Sequence, residues 1–71
     1  TATDDTVPVQ NSLLFAQALV ANGVNVEFHL FPHGGHGLSL ARVDTSRGEE
    51  SLVEPGCQCW IRLAWEWMKN L

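Results

Sequence analysis

Residues 24–38 read VNVEFHLFPHGGHGL, and this stretch decides how the chain folds. Its first half alternates between two sets of side chains, which are Val24, Val26, Phe28 and Leu30 on one face and Asn25, Glu27, His29 and Phe31 on the other. Such an alternation predicts a β-strand with one strongly apolar face. Its second half is a loop in which His36 lies between two glycines, and these glycines let the backbone approach other loops closely.

The residues before this stretch predict a helix over about 10–22. Its apolar side chains recur at helical spacing, and they are Leu14, Phe15, Ala18, Leu19 and Ala21. Asn11 or Ser12 is expected to be the N-cap, because a short polar side chain can accept hydrogen bonds from the free amides of the first turn. Asn22-Gly23 predicts the end of the helix, since glycine adopts the left-handed conformation at little cost.

A second helix is predicted over residues 57–71. Its apolar stripe consists of Trp60, Leu63, Ala64, Trp67 and Leu71, which favours packing over ligand binding for these tryptophans. Trp65 lies off this stripe. Residues 39–56 are rich in charge and end in Pro-Gly, so they predict a mostly exposed connection with a short helical turn around 47–53.

The predicted order is therefore loop, helix, strand, loop, helix, which is typical of an α/β fold. A single strand leaves its backbone amides and carbonyls without partners, so it needs a second strand. The strand is expected to pair either with strands of a larger parent sheet or with a second copy of the chain. The abrupt start at Thr1, which leaves Asp4 with no preceding element, favours a fragment of a larger protein.

The composition excludes several classes of protein. The formal net charge is −4, so neither nucleic acid nor an anionic membrane is an expected partner. No apolar run approaches the roughly 18 residues of a membrane span, and no signal peptide opens the chain. Cys57 and Cys59 are too close in sequence for a favourable disulfide, and as reduced thiols they favour a cytoplasmic location.

Asp4 and His36 are candidate catalytic residues because of where the predicted elements place them. They are 32 residues apart, and a helix and a strand fill the interval, as a parallel sheet requires between the ends of consecutive strands. In a Ser-His-Asp triad the histidine removes the serine proton, while the carboxylate fixes the histidine tautomer and stabilises its charged form. The spacing therefore indicates an acid loop and a base loop at one edge of a sheet.

A metal site is the competing interpretation of the same region. Zinc accepts imidazole and thiolate ligands, and the chain offers His29, His33, His36, Cys57 and Cys59. Their spacing matches no common zinc motif, and a Cys-x-Cys pair lacks the usual gap between ligands. We therefore expect no metal and no cofactor, and we interpret the cysteines as small apolar residues at a helix start.

Residues 1–40 resemble the C-terminal end of an α/β-hydrolase, in the bacterial esterase, lipase and acetyl-xylan-esterase-like group that borders the prolyl oligopeptidase relatives. The matching segments are TATDDTVPV at 1–9, NSLLFA at 11–16, EFHLF at 27–31, GGHGL at 34–38 and, as the closing helix, WIRLAWEWM at 60–68. The resemblance implies a serine esterase that acts on a small-molecule carboxylic ester, such as an acetylated sugar, without a cofactor. It implies that Asp4 is the triad acid, with Asp5 as the competing choice, and that His36 is the base.

The chain departs from this family in one large respect. It contains no Gly-x-Ser-x-Gly elbow, and neither Ser12 in the predicted helix nor Ser39 replaces the nucleophile. Residues 1–71 are therefore expected to be the C-terminal part of a doubly wound α/β-hydrolase domain, supplying acid and base but inactive alone. The alternative is a stand-alone, non-enzymatic α/β module that self-associates. Either interpretation predicts a homo-oligomer of the isolated chain.

Overall fold

The computed structural model describes all 71 residues, and its regular elements are helical. Helix α1 spans Val9–Ala21 and helix α2 spans Trp60–Lys69. Three short 3₁₀ turns lie between them, at Val43–Thr45, Glu50–Leu52 and Pro55–Cys57. The second of these turns falls within the region around 47–53 where a helical turn was predicted.

Local signals explain where α1 begins and ends. The N-cap is Pro8 and not Asn11 or Ser12, so the predicted cap was wrong. Pro8 has the fixed φ of its ring at −59° and an extended ψ of 136°, and its carbonyl accepts a hydrogen bond from the Asn11 amide. The predicted stop is confirmed, because Gly23 follows the helix with a φ of +70°.

The strand predicted over residues 24–31 is not present as a hydrogen-bonded element. The segment has no second strand beside it in this chain, and a β-ladder needs a partner. Side chains from its two predicted faces nevertheless mostly line different surfaces. Phe28 and Leu30 line a small cavity with residues of α1, Phe31 lines a groove with residues of α2, and His29 borders both. One helix therefore lies on each side of this segment.

The side of α1 that contacts the rest of the chain differs from the predicted one. Val9, Ala16 and Leu19 are half-buried, whereas Leu14 is exposed and Phe15 keeps 67% of its surface in solvent. Because α1 carries apolar residues on nearly all sides, helical spacing fits several faces equally well. A helix of this composition is typical of a helix buried on most sides.

Helix α2 begins at Trp60, three residues later than predicted. The Pro55–Cys57 turn, with Pro55 at its first position, takes up the first residue of the predicted helix, Cys57. Leu63, Ala64 and Trp67 of the predicted stripe are half-buried, whereas its end members Trp60 and Leu71 are exposed. Trp65, which lies off the stripe, is 58% exposed.

The connection between the loop of His36 and α2 holds every buried residue of the chain. These residues are Ala41, Ser46, Leu52 and Cys57. Most of residues 39–56 are exposed, as predicted, but Ala41, Ser46 and Leu52 among them are buried. Ala41 adopts a φ of +59°, and its carbonyl accepts hydrogen bonds from the Glu54 amide and the Gln58 side chain. These bonds fold the connection back on itself, although no glycine in the sequence marks the turn.

Outside this connection, few side chains are shielded from solvent. Four of the 71 residues are buried, and large apolar side chains are exposed on both helices and on the segment between them. Neither helix is both long enough and apolar enough to cross a membrane.

Candidate acid–base site

The loop before α1 holds the carboxylate of Asp4 by its backbone. The Oδ1 atom accepts hydrogen bonds from the amides of Thr6 and Val7, each at 2.9 Å. An aspartate that caps the amides of the next residues is a common turn element. Here it fixes one carboxylate oxygen and leaves the other free to point away from the turn.

The loop after residue 31 carries His36 between backbone positions that favour glycine. Gly34 has a φ of +144° and Gly37 a φ of +75°. A Cβ atom on Gly34 would lie 2.8 Å from side-chain carbons of both Thr1 and Leu38, so no larger residue fits without displacing them. The glycines therefore allow the sharp, closely packed turn that carries the imidazole of His36.

The two loops meet at a hydrogen bond between Asp4 and His36. Asp4 Oδ2 lies 3.0 Å from His36 Nδ1. Because an ionised carboxylate only accepts hydrogen bonds, Nδ1 carries the proton and Nε2 presents its lone pair. The Asp4 side chain is 16% exposed and that of His36 is 50% exposed. The ring is thus held at one nitrogen and accessible at the other, where no group of this chain bonds to it.

These contacts lower the pKa of Asp4 from 3.8 to about 2. The largest cause is the hydrogen bond from the Val7 amide, followed by those from the His36 side chain and the Thr6 amide. Each of them stabilises the ionised carboxylate. Asp4 therefore remains a carboxylate at any pH at which an imidazole is neutral.

This depressed pKa gives a first testable prediction. A carboxylate whose pKa is lower in the folded state stabilises the fold above its unfolded pKa, and that contribution is lost as the pH falls towards the folded pKa. The stability advantage of the wild type over Asp4→Asn should hence shrink between pH 3.8 and 2. Carbon-13 NMR titration of the Asp4 carboxyl measures the pKa directly. Because the Val7 amide is the largest cause, His36→Ala should raise this pKa only part of the way to 3.8.

The two neighbouring aspartates have different hydrogen-bond partners. Asp5 has one side-chain partner, the hydroxyl of Thr6 at 3.4 Å, and it forms no bond with His36. Asp4 alone reaches the imidazole. The geometry therefore favours Asp4 over Asp5 as the partner of His36, and the catalytic role of the pair stays a prediction.

The five residues considered for zinc are not brought together. No group of three or more His, Cys, Asp or Glu side chains is arranged to hold a metal ion. His29 is paired with Glu27 at 2.8 Å, and Cys57 is buried with its thiol donating to the His33 carbonyl at 3.3 Å. Burial, reinforced by Glu54, raises the pKa of the Cys57 thiol, so this cysteine is held as a neutral hydrogen-bond donor.

Two threonines near the site were missed by sequence reasoning. The Thr3 hydroxyl accepts a hydrogen bond from the Gly34 amide at 3.0 Å and donates to the Gly34 carbonyl at 3.2 Å. The Thr1 hydroxyl donates to the same carbonyl. Threonine in a loop carries no distinctive sequence signal, so only the meeting of the two loops reveals these contacts.

Comparison with known proteins agrees with this architecture. The prolyl oligopeptidase family matches residues 1–53. Over 41 residues, or 58% of the chain, the sequence is 46% identical to endo-1,4-beta-xylanase B of Butyrivibrio fibrisolvens, of which this match covers 6%.

Solved structures give a more complete match. MGS-M1, an alpha/beta hydrolase enzyme from a Medee basin deep-sea metagenome library, superposes with a TM-score of 0.92 at 36% identity, over 97% of this chain and 28% of that one. The carboxylesterase Cest-2923 of Lactobacillus plantarum also gives a TM-score of 0.92, at 37% identity, over 97% of this chain and 26% of that one.

These matches confirm the resemblance predicted from the sequence, and they show that the chain corresponds to about a quarter of these α/β-hydrolases. The matched region takes in almost the whole of this chain. The chain belongs to the prolyl oligopeptidase family.

Proposed function

We propose that this chain supplies the acid and the base of a Ser-His-Asp triad in a serine carboxylic-ester hydrolase. The observation that carries the proposal is the bond between Asp4 Oδ2 and His36 Nδ1, with Nε2 of the imidazole left accessible. The carboxylesterase among the similar structures supports an ester as the substrate class. The nucleophilic serine and the oxyanion hole come from outside residues 1–71.

Each residue has one step in the proposed chemistry. His36 Nε2 takes the proton of the serine hydroxyl while the serine oxygen attacks the ester carbonyl. Asp4 stabilises the imidazolium that forms, and its backbone-held Oδ1 keeps it from rotating away. The imidazolium then gives the proton to the leaving alkoxide, and an acyl-enzyme remains. In the second half His36 takes a proton from a water molecule, which attacks the acyl-enzyme. The proton then passes to the serine oxygen as the carboxylic acid product leaves.

The isolated chain is inactive under this proposal. Four serines are present, and none of them forms a hydrogen bond with His36. Ser12 lies inside α1, and Ser46 is buried with its hydroxyl bonded to the Val43 carbonyl. Without a serine beside Nε2, the acid–base pair has no proton to remove.

The proposal is tested on the full-length protein that contains this segment. We expect it to react with a fluorophosphonate probe and to hydrolyse p-nitrophenyl acetate, while the isolated 71-residue chain does neither. A proline-containing peptide substrate serves as the control for the peptidase activity that the family name suggests. Peptide cleavage without ester hydrolysis would reject the esterase assignment, and probe labelling of the isolated chain would show that the nucleophile lies within it.

A second candidate is a non-enzymatic module that self-associates. It is favoured by one observation, the large apolar side chains that stay exposed, such as Leu14, Phe15 and Val20. In the esterase proposal the parent sheet and its helices cover this surface, and in the second candidate a second copy covers it. Light scattering of the isolated chain tests the second candidate, because a well-folded monomer would contradict the self-associating module.

A further inference from the structure

Hydrogen bonds at Gly34 connect the loop that carries Asp4 with the loop that carries His36. The Thr3 hydroxyl bonds to both the amide and the carbonyl of Gly34, and the Thr1 hydroxyl donates to the same carbonyl. On the other side, the Cys57 thiol donates to the carbonyl of the preceding residue, His33. Contacts from two separate parts of the chain, residues 1–3 and Cys57, therefore converge on residues 33–34.

We infer that Thr3 is a positioning residue for His36, because its hydroxyl fixes the distance between the two loops that carry the acid and the base. Thr3 is covalently next to Asp4, and Gly34 is two residues before His36. The inference rests on the proposed function, since it concerns the same acid–base pair. Thr3 touches neither the imidazole nor any reacting atom, so its effect is exerted through Gly34.

The hydrogen bonds of Thr3 matter because few other bonds join the loop of Asp4 to the loop of His36. A single backbone hydrogen bond connects residues 1–8 with residues 31–37, from the Ala2 amide to the Phe31 carbonyl. It lies five residues before His36. The Asp4–His36 bond itself is partly open to water, because the ring is half exposed. Water competes for such a bond, and catalytic groups must be held within about 0.5 Å of their productive positions.

The shape of the site agrees with this role. A Cβ atom at Gly34 would clash with Thr1 and Leu38, so the backbone there is closely enclosed by side chains. A segment that is both enclosed and doubly bonded to one side chain has little freedom to shift. Removing the hydroxyl leaves the Gly34 amide to bond to water and leaves the Gly34 carbonyl with the Thr1 hydroxyl alone, which loosens the base loop while leaving the acid loop intact.

The test uses Thr3→Val in the full-length protein, which keeps the shape of the side chain and removes its hydroxyl. We expect kcat for p-nitrophenyl acetate to fall about 10- to 100-fold with KM changed less than about threefold, because misplacement of a catalytic group by ~1 Å costs on this order. Thr3→Ser keeps the hydroxyl and should recover kcat to within about threefold. The proton NMR signal of His36 Nδ1–H should weaken or broaden in Thr3→Val and return in Thr3→Ser.

The chain offers a closely matched control in Thr45. Its hydroxyl also bonds to both the amide and the carbonyl of one residue, Arg42, at 3.3 and 3.2 Å. Thr45→Val therefore removes the same pair of bonds away from the acid–base pair, and kcat should stay within about twofold of wild type. If Thr3→Val does not fold, Thr3→Ala is compared with Thr3→Ser by the same kinetics.

The outcomes separate this inference from the proposed function. If His36→Ala and Asp4→Asn are inactive but Thr3→Val retains full kcat, Thr3 is not a positioning residue and the triad assignment stands. If Thr3→Ser fails to recover kcat, the hydroxyl is not the responsible group, and the inference is overturned. Full activity in His36→Ala would overturn both.

Discussion

Replacing His36 by alanine in the full-length protein should reduce kcat for p-nitrophenyl acetate by roughly 10⁴- to 10⁶-fold, the range seen when the base of a serine triad is removed. The reason is that the Asp4 carboxylate holds Nδ1 of this half-exposed ring, which leaves Nε2 to accept the serine proton. Without it the serine hydroxyl must lose its proton to water. The KM should change little, because the imidazole contributes to the transition state and not to binding of the ground state.

His33 provides the matched control for this experiment. It lies in the same loop, its side chain is exposed, and its only bond is made by its backbone carbonyl, which accepts from Cys57. His33→Ala should therefore keep kcat within about threefold of wild type. Circular dichroism and the melting temperature of both variants check that the fold is retained. A His36→Ala enzyme that is folded and still turns over would remove His36 from the mechanism.

Replacing Asp4 by asparagine should lower kcat by about 10⁴-fold, because the substitution changes a tautomer with little change in shape. An amide at this position can still accept from the Thr6 and Val7 amides through its oxygen. Its NH₂ group then points at His36 Nδ1, which must become an acceptor. The proton moves to Nε2, and the nitrogen that faces the substrate side can no longer remove a proton.

Asp5→Asn is the control that decides between the two aspartates. Asp5 bonds only to the Thr6 hydroxyl, at 3.4 Å, so its substitution should leave kcat within about threefold of wild type. The measurement is the kcat of both variants at a pH where the wild type is fully active. Should Asp5→Asn be inactive and Asp4→Asn active, the acid is Asp5 and the loop rearranges in the working enzyme.

The sequence allowed the helices and the acid–base pair to be predicted because their signals are local or ordered along the chain. Pro8 and Gly23 set the limits of α1 through backbone conformations that those residues favour. Asp4 and His36 were predicted from the order of elements, and the structure brings their side chains to 3.0 Å. That order constrains the ends of neighbouring elements even when their partners lie outside the chain.

Other features depend on contacts that no local pattern specifies. The segment 24–31 has the alternation of a strand, but strand pairing is a property of two segments and this chain contains one. The correct face of α1 could not be chosen, because its apolar residues surround the helix. Thr3 was missed for a similar reason, since its bonds to Gly34 cross 31 residues of sequence.

The packing of residues 41–57 has a consequence for the order in which the molecule loses its structure. Regular helices usually resist opening most, yet here α1 and α2 contain no buried residue. The irregular connection holds all four, and the Glu54 amide bonds across it to the Ala41 carbonyl. Local opening is easiest where few apolar contacts oppose it. In the chain by itself, the last amides to exchange with solvent deuterium should therefore be those of the connection, and the helices should fray around it.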